Sequence, residues 1–223
     1  MTSPVLAATS GWSGWALALV IVEFVGLAGV IAWRLVRDHV RVKNFGVVVP
    51  GKIFRAGRLT PGSLRILHKR HGVRTIIDLG AETAGSPAER SMERAAADLG
   101  LSRVRFHGLK GDGTGDPEVY LEVLRLLRDE ERAPVVVHCA AGADRTGALV
   151  MLYRSIEQGR PLEDCIEEAR THRHNPVKNP RMLAFVRQHA AAIASALKLG
   201  GPLPGGGGAR RDVTSERVGG DVA

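Results

Sequence analysis

The stretch APVVVHCAAGADRTGALVML, residues 133–152, joins a strand pattern to a helix pattern through a short run of small residues. Three consecutive valines ahead of Cys139 form an apolar, β-branched run that is typical of a buried strand. A helix is predicted from Arg145 onward. The sequence therefore sets a cysteine and an arginine at the two ends of one turn, which we call the cysteine loop (residues 139–145).

The rest of the central region alternates between strand and helix patterns in the same way. Strands are predicted within 47–57, 73–80, 102–109 and 133–139, and helices within 60–72 and 86–100, from 117, and near 145–159, 161–172 and 179–198. Thr60, Ser86 and Asp116 are predicted N-caps, because their side-chain oxygens can accept hydrogen bonds from the free N–H groups of a first helical turn. The alternation predicts an α/β fold with a mostly parallel central sheet flanked by helices.

Composition divides the chain of 223 residues into five segments. These are a short extracytoplasmic N-terminus (1–14), a transmembrane anchor (15–33), a basic juxtamembrane linker (34–46), the main domain (47–198) and a glycine-rich tail (199–223). The tail is predicted to be disordered, since it lacks apolar periodicity.

The anchor is predicted from nineteen residues that are apolar apart from Glu23. A helix of that length rises roughly 28 Å, which is close to the thickness of a bilayer core. Trp15 and Trp33 stand at its ends like an aromatic belt, and basic residues follow it. The positive-inside rule then predicts a single-pass membrane protein with its main domain in the cytoplasm. A cleaved signal peptide, the competing interpretation, lacks its basic n-region.

The formal net charge of +8 predicts attraction to anions, which include phosphorylated molecules, membrane headgroups and nucleic acid. Nucleic acid is not expected as a partner, because the sequence contains no recognition motif for it. Cys139 and Cys165 are too few for a disulfide framework, and the histidines near residue 173 do not have the usual metal-ligand spacing. We therefore expect no metal and no other cofactor.

The cysteine loop has the composition of an anion site. Its central residues are Ala140, Ala141, Gly142, Ala143 and Asp144. Small residues let successive backbone N–H groups turn toward one centre, and the start of the next helix adds the positive end of its dipole. Arg145 can donate two parallel hydrogen bonds to phosphate oxygens, and such positive surroundings favour a cysteine thiolate. Cys139 is the predicted nucleophile.

Residues around the loop receive supporting roles. Thr146 is predicted to donate its hydroxyl to the departing sulfur, His138 to order the loop through hydrogen bonds, and Asp144 to brace it. Arg55 and Arg58 are weaker candidates for the rim of the site. A basic cluster is predicted either to contact an anionic substrate or to form a solvated helix end; it contains His172, Arg173, His174 and Lys178.

HCAAGADRTG, residues 138–147, resembles the signature of the protein tyrosine phosphatase and dual-specificity phosphatase superfamily, in which His-Cys is followed by five residues, Arg and then Ser or Thr. The DRTG ending is similar to the bacterial tyrosine phosphatase-like branch. Together with IFRAGRL and VRTIIDLG upstream, the resemblance covers about residues 47–172. It implies a metal-independent phosphomonoester hydrolase that acts through a cysteinyl-phosphate. Several relatives carry lysine where this chain has Ala143, which weakens an inference toward phosphoinositides.

The resemblance also implies a general acid, an aspartate on an upstream loop that protonates the leaving oxygen. Asp112 and Asp116 are the candidates. We favour Asp112, because it lies between Gly111 and Gly113 and is expected to move freely, whereas Asp116 is expected to cap a helix.

Two other functions remain open at this point: a phosphate-binding module without catalysis, and a sulfurtransferase of the rhodanese type. The substrate also stays open between a phosphorylated protein, a phospholipid and a small phosphate. Membrane attachment would favour a substrate at the membrane by raising its local concentration.

Overall fold

The computed structural model describes residues 14–204 and 208–214. The chain divides into two compact units, residues 1–37 and 38–223. The predicted extracytoplasmic segment 1–14 lies outside the described residues except for Gly14. Helix α1 (Gly14–Val40) covers the predicted anchor, and its apolar side chains, such as Leu19 and Phe24, are exposed. Among the described residues, however, no helix combines the length and apolar character needed to cross a membrane, so the predicted transmembrane helix is not supported.

The second unit contains the predicted alternation of strands and helices. Its helices are α2 (Pro61–His71), α3 (Pro87–Asp98), α4 (Pro117–Arg128), α5 (Asp144–Gln158), α6 (Leu162–Thr171) and α7 (Pro180–Leu199). Its strands are β1 (Gly46–Val49), β2 (Ile53–Ala56), β3 (Thr75–Asp78), β4 (Ser102–Phe106), β5 (Val135–His138) and β6 (Arg211–Thr214).

Within the described residues these strands form one six-stranded sheet in the order β1-β2-β5-β3-β4-β6. The four central strands are parallel to one another, and β1 and β6 run antiparallel at the two edges. The predicted α/β fold is therefore confirmed. Ala56 of β2 and Asp78 of β3 both pair with His138 of β5, so the carboxyl ends of three strands meet at one level, directly before Cys139.

The predicted N-caps form as the local sequence indicates. Thr60 Oγ1 accepts a hydrogen bond from Ser63 N at 3.2 Å, and Ser86 Oγ accepts one from Glu89 N at 3.2 Å. Asp116 Oδ1 accepts one from the backbone N–H of residue 118 at 2.9 Å. Each such cap contributes about 1 kcal/mol to helix stability.

Both faces of β5 are covered, which explains its continuous valine run. Val135 and Val137 pack on the side of α4, α5 and α7, whereas Val136 packs against the side chains of α2 and α3. Full burial of each of these side chains stabilises the fold by about 1.5–3 kcal/mol. The strand that ends at Cys139 is therefore held rigidly from both sides.

Part of the glycine-rich tail is ordered, in contrast to the prediction of disorder. Arg211–Thr214 forms β6 and pairs antiparallel with β4, with Val213 opposite Val104. Leu203 is buried, and its backbone N–H donates to Glu118 Oε2 at 2.9 Å. The physical reason is that β4 offers an open edge, which a short segment with valine and threonine can pair with. The other tail residues, 205–207 and 215–223, lie outside the described residues.

Candidate active site

The cysteine loop leaves the carboxyl end of β5 and enters α5, whose first residue is Asp144. Ligands of open α/β sheets bind at this edge. Cys139 is buried, with 2% of its surface exposed, and it is not in a disulfide. The backbone N–H of Gly142 donates to Cys139 Sγ at 3.2 Å, so the loop curls back over the sulfur.

The carbonyl groups of the loop are bonded from outside. Ala140 O accepts from Lys43 Nζ (3.0 Å) and Arg58 N (3.1 Å), Ala141 O from Asn44 Nδ2 (3.2 Å), and Gly142 O from Arg55 Nη2 (2.7 Å). In a trans peptide the C=O and the following N–H point in opposite directions. Carbonyls bonded on the outside favour amides that point inward, and the Gly142 N–H does so, because it donates to Cys139 Sγ.

Gly142 is a position that only glycine fits. Its φ is 71°, in the left-handed region, and a Cβ there would lie 2.6 Å from Gly57 N and 2.7 Å from Ala56 O. The loop thus rests directly on the backbone at the end of β2.

Arg145 stands at the far end of the loop, as predicted. Its Nη1 donates to Leu79 O at 2.7 Å and also to Gly80 O, at the carboxyl end of β3. Its Nε is buried and has no hydrogen-bond partner among the described residues. The guanidinium is therefore oriented by one nitrogen and keeps another donor for a ligand.

Tyr120 of α4 is a site residue that the sequence analysis missed. Its hydroxyl donates to Gly113 O at 2.7 Å. Burial raises its pKa above the usual range, and the charges of Cys139, Arg145, Asp112 and Asp144 also act on it. Four predicted site residues therefore influence one buried phenol, and nothing in the local pattern of α4 sets this tyrosine apart from a core residue.

The side chain of His138 does not form hydrogen bonds that would order the loop. Both of its ring nitrogens are buried without a hydrogen-bond partner among the described residues, and the closest carboxylate oxygen, Asp78 Oδ1, lies 3.9 Å from Nε2. Burial lowers the pKa of His138, although the charge of Asp78 opposes this effect. The loop is ordered here by a backbone bond instead, from Leu79 N to His138 O at 2.9 Å.

Thr146 is fully buried at the start of α5. Its Oγ1 has no hydrogen-bond partner in the described part of the chain. The bond predicted for it forms only with the departing sulfur, so that role stays a prediction. The hydroxyl remains available as a donor.

Asp144 contacts His174, which belongs to the basic cluster that the sequence analysis assigned either to substrate contact or to a solvated helix end. His174 Nδ1 lies 2.9 Å from Asp144 Oδ1, and the His174 side chain has no exposed surface. This contact supports the bracing role predicted for Asp144, because it ties the end of the cysteine loop to the segment between α6 and α7.

Asp112 is not free between its glycines, contrary to the prediction. Its Oδ1 accepts hydrogen bonds from Thr114 Oγ1 at 2.7 Å and Thr114 N at 3.1 Å. The bond from the Thr114 hydroxyl is the main cause that lowers the pKa of Asp112, and the charge of Arg181 acts in the same direction. Asn179 Nδ2 also donates to Asp112 O at 2.7 Å. These bonds favour the ionised carboxylate, so Asp112 is a better proton donor once it has moved away from Thr114.

A pocket of about 470 Å³ adjoins the cysteine loop. It is lined by Asp112, Asp144, Lys178, Asn179, Pro180 and Arg181. The two basic side chains are exposed and add positive charge beside the loop. In the part of the chain that the structure describes, no group of three or more His, Cys, Asp or Glu residues could hold a metal ion.

Two arginines were candidates for the rim of the site, and the structure places only one of them, Arg58, at the surface. Arg58 is exposed, and its Nε lies 2.7 Å from Glu82 Oε1. Arg55 is only 1% exposed, because β2 is buried along its whole length. Its side chain lies beneath the loop.

A buried cysteine and an arginine at the two ends of a strand-to-helix turn, with the Gly142 amide on the sulfur, have the arrangement of a cysteine-dependent phosphatase site on an α/β fold. Residues 38–188 match the family model for the DSP-PTPase phosphatase fused to NAD+ kinase. The chain belongs to this phosphatase family, which agrees with the resemblance found in the sequence.

Curated relatives match parts of the chain. The dual specificity protein phosphatase TpbA of Pseudomonas aeruginosa is 41% identical over 73 residues, which are 31% of this chain and 33% of the relative. The inositol diphosphatase DSP3 of Arabidopsis thaliana is 32% identical over 126 residues, which are 56% of this chain and 60% of the relative. The matches thus span about a third and about three fifths of these relatives.

Solved structures support the fold. The crystal structure of P. aeruginosa TpbA superimposes with a TM-score of 0.58 at 21% identity, over 70% of this chain and 91% of TpbA. The catalytic core of the PP-IP phosphatase SIW14 from S. cerevisiae, in complex with citrate, gives a TM-score of 0.56 at 21% identity, over 70% and 94%.

Proposed function

We propose that the chain is a cysteine-dependent phosphomonoester phosphatase of the tyrosine or dual-specificity type. The observation that carries this proposal is the buried Cys139 sulfur beneath the Gly142 amide, with Arg145 at the other end of the same loop. The family match favours hydrolysis over sulfur transfer. No specific observation favours the other alternative, an inactive phosphate-binding module.

The geometry supports a two-step reaction. The Cys139 thiolate attacks phosphorus, an S–P bond forms, and the P–O bond to the leaving group breaks. Water then attacks the cysteinyl-phosphate, the S–P bond breaks, and inorganic phosphate leaves. The inward amides and Arg145 stabilise the phosphoryl oxygens in both steps. The buried Thr146 hydroxyl can donate to the departing sulfur in the second step.

The proposed substrate is a phosphorylated protein or a phosphoinositide-type molecule. Exposed cations near the loop support an anionic substrate; they include Lys43, Arg58, Lys178 and Arg181. The test is phosphate release from p-nitrophenyl phosphate with EDTA present, followed by the same assay on a phosphotyrosine peptide and a phosphoinositide. No release from any of the three would refute the proposal.

The general acid is tested with a pair of variants. If Asp112 protonates the leaving oxygen, Asp112→Asn lowers kcat for phenyl phosphate by about 100-fold. The loss is smaller for p-nitrophenyl phosphate, because its leaving group needs less protonation. Asp116→Asn is the matched control, since asparagine is also a good N-cap and leaves kcat nearly unchanged. A large loss of kcat in Asp116→Asn alone would reverse the assignment.

Membrane attachment through 15–33, with the phosphatase domain in the cytoplasm, stays a prediction of the sequence. It is tested by washing membranes of cells that express the full chain with alkaline carbonate. An integral anchor keeps the chain in the pellet, whereas release into the supernatant would contradict the prediction.

A further inference from the structure

Arg55 is a buried cation beneath the cysteine loop. Its Nη2 donates to Gly142 O at 2.7 Å, while Nε and Nη1 are buried without a hydrogen-bond partner among the described residues. Burying a guanidinium is costly unless a nearby negative charge and hydrogen bonds compensate for lost hydration. The burial of Arg55 therefore requires a nearby negative charge that stabilises the cation.

Two groups near Arg55 can supply this negative charge. Burial lowers the pKa of Arg55 to about 10, so the side chain stays charged at neutral pH, and the charges of Glu168 and Cys139 oppose the shift. Glu168 is already shared by two other arginines, with Oε1 3.0 Å from Arg154 Nη2 and Oε2 2.6 Å from Arg160 Nη1. Cys139 is the other group whose negative charge stabilises the Arg55 cation.

A single residue connects the cation to the sulfur. Gly142 accepts from Arg55 through its carbonyl and donates to Cys139 Sγ through its N–H, at 2.7 Å and 3.2 Å respectively. The parallel pairing of β2 with β5, with Arg55 opposite Val137, sets the arginine two residues below the start of the loop. Arg55 therefore holds the residue whose N–H covers the nucleophile.

We propose that Arg55 is a positioning residue of this site, which fixes the Gly142 peptide and balances the negative charge of the Cys139 thiolate. The proposal rests on the proposed phosphatase function. Other ionisable groups lie in or beside the loop: Arg145 and Asp144 at the start of α5, Lys43, whose Nζ donates to Ala140 O, and Asp112, which lines a pocket together with Asp144. Arg55 is the cation that approaches from β2.

The test measures how fast iodoacetamide alkylates Cys139 as a function of pH. In this reaction the thiolate attacks the methylene carbon, an S–C bond forms and iodide leaves. Mass spectrometry of the Cys139 peptide separates its alkylation from that of Cys165. Arg55→Gln keeps a donor for Gly142 but removes the charge, so the pH midpoint is expected to rise by about 1–3 units. Arg55→Lys keeps the charge and is expected to leave the midpoint near that of the wild type.

The control is Arg154→Gln, which removes a cation that is bonded to Val48 O and Glu168 but does not contact the loop. Its midpoint is expected to equal that of the wild type. An unchanged midpoint in folded Arg55→Gln, or an equal rise in Arg154→Gln, would overturn the proposal.

Should Arg55→Gln not fold, Arg55→Met, which also removes the charge from this buried position, replaces it: a raised midpoint supports the proposal, and an unchanged midpoint overturns it. The readout is independent of catalysis. An enzyme without phosphatase activity but with the expected midpoints would refute the proposed function and leave the role of Arg55 standing.

Discussion

Cys139→Ser is expected to reduce phosphate release from p-nitrophenyl phosphate by about 10⁴-fold or more. A serine hydroxyl is un-ionised at neutral pH, whereas the thiolate is the reactive form of cysteine. The substitution also weakens the bond that Gly142 N donates to Sγ at 3.2 Å, without adding bulk to a buried position. The variant should therefore fold and still bind inorganic phosphate, which can be measured as a rise in its melting temperature.

The matched control is Cys165→Ser on α6. The Cys165 thiol is also buried and donates to Pro161 O at 3.3 Å, so a hydroxyl can replace it there. Its rate is expected to remain within about twofold of the wild type, as for a residue outside the reaction. If Cys139→Ser keeps more than about a hundredth of the rate, the nucleophile assignment is wrong.

Arg145→Lys is expected to lower kcat/KM by about 10²- to 10³-fold although the charge is conserved. A lysine ammonium cannot donate two parallel hydrogen bonds to a phosphoryl group. It also cannot hold the Leu79 and Gly80 carbonyls with one nitrogen while it offers a second to the ligand, as Arg145 does. The rate and the affinity for inorganic phosphate should both fall.

Arg128→Lys is the control for this substitution. Arg128 also donates to a backbone carbonyl, Leu197 O at 3.0 Å, and pairs with Glu157, but it lies at the end of α4 outside the loop. A loss in Arg145→Lys that is no larger than the loss in Arg128→Lys would count against a phosphate-binding role for Arg145.

The parts that sequence predicts well are those set by short-range physics. The caps at Thr60, Ser86 and Asp116 depend on atoms two or three residues away, and each forms as expected. The strand before Cys139 is also predictable, because a buried parallel strand needs an unbroken apolar run. The order of residue types in the cysteine loop is enough to suggest its chemistry.

The missed features depend on contacts across long distances in the chain. Lys43 and Asn44 lie 97 positions from the carbonyls that they bond, and no local pattern indicates such a pairing. The burial of Arg55 follows from the placement of β2 beside β5, which a single arginine in a short strand does not reveal. Asp112 was expected to move freely because it is flanked by glycines, but its carboxylate accepts a hydrogen bond from Thr114, two residues further along the chain.

The bonds from Lys43 and Asn44 to the loop also determine where the chain can be shortened. The boundary expected from composition, residue 47, would remove both side chains and release the Ala141 carbonyl. A fragment that begins at residue 38, where the compact unit starts, keeps them. The residue at which a catalytic fragment can begin is thus determined by hydrogen bonds to the cysteine loop and not by the start of β1.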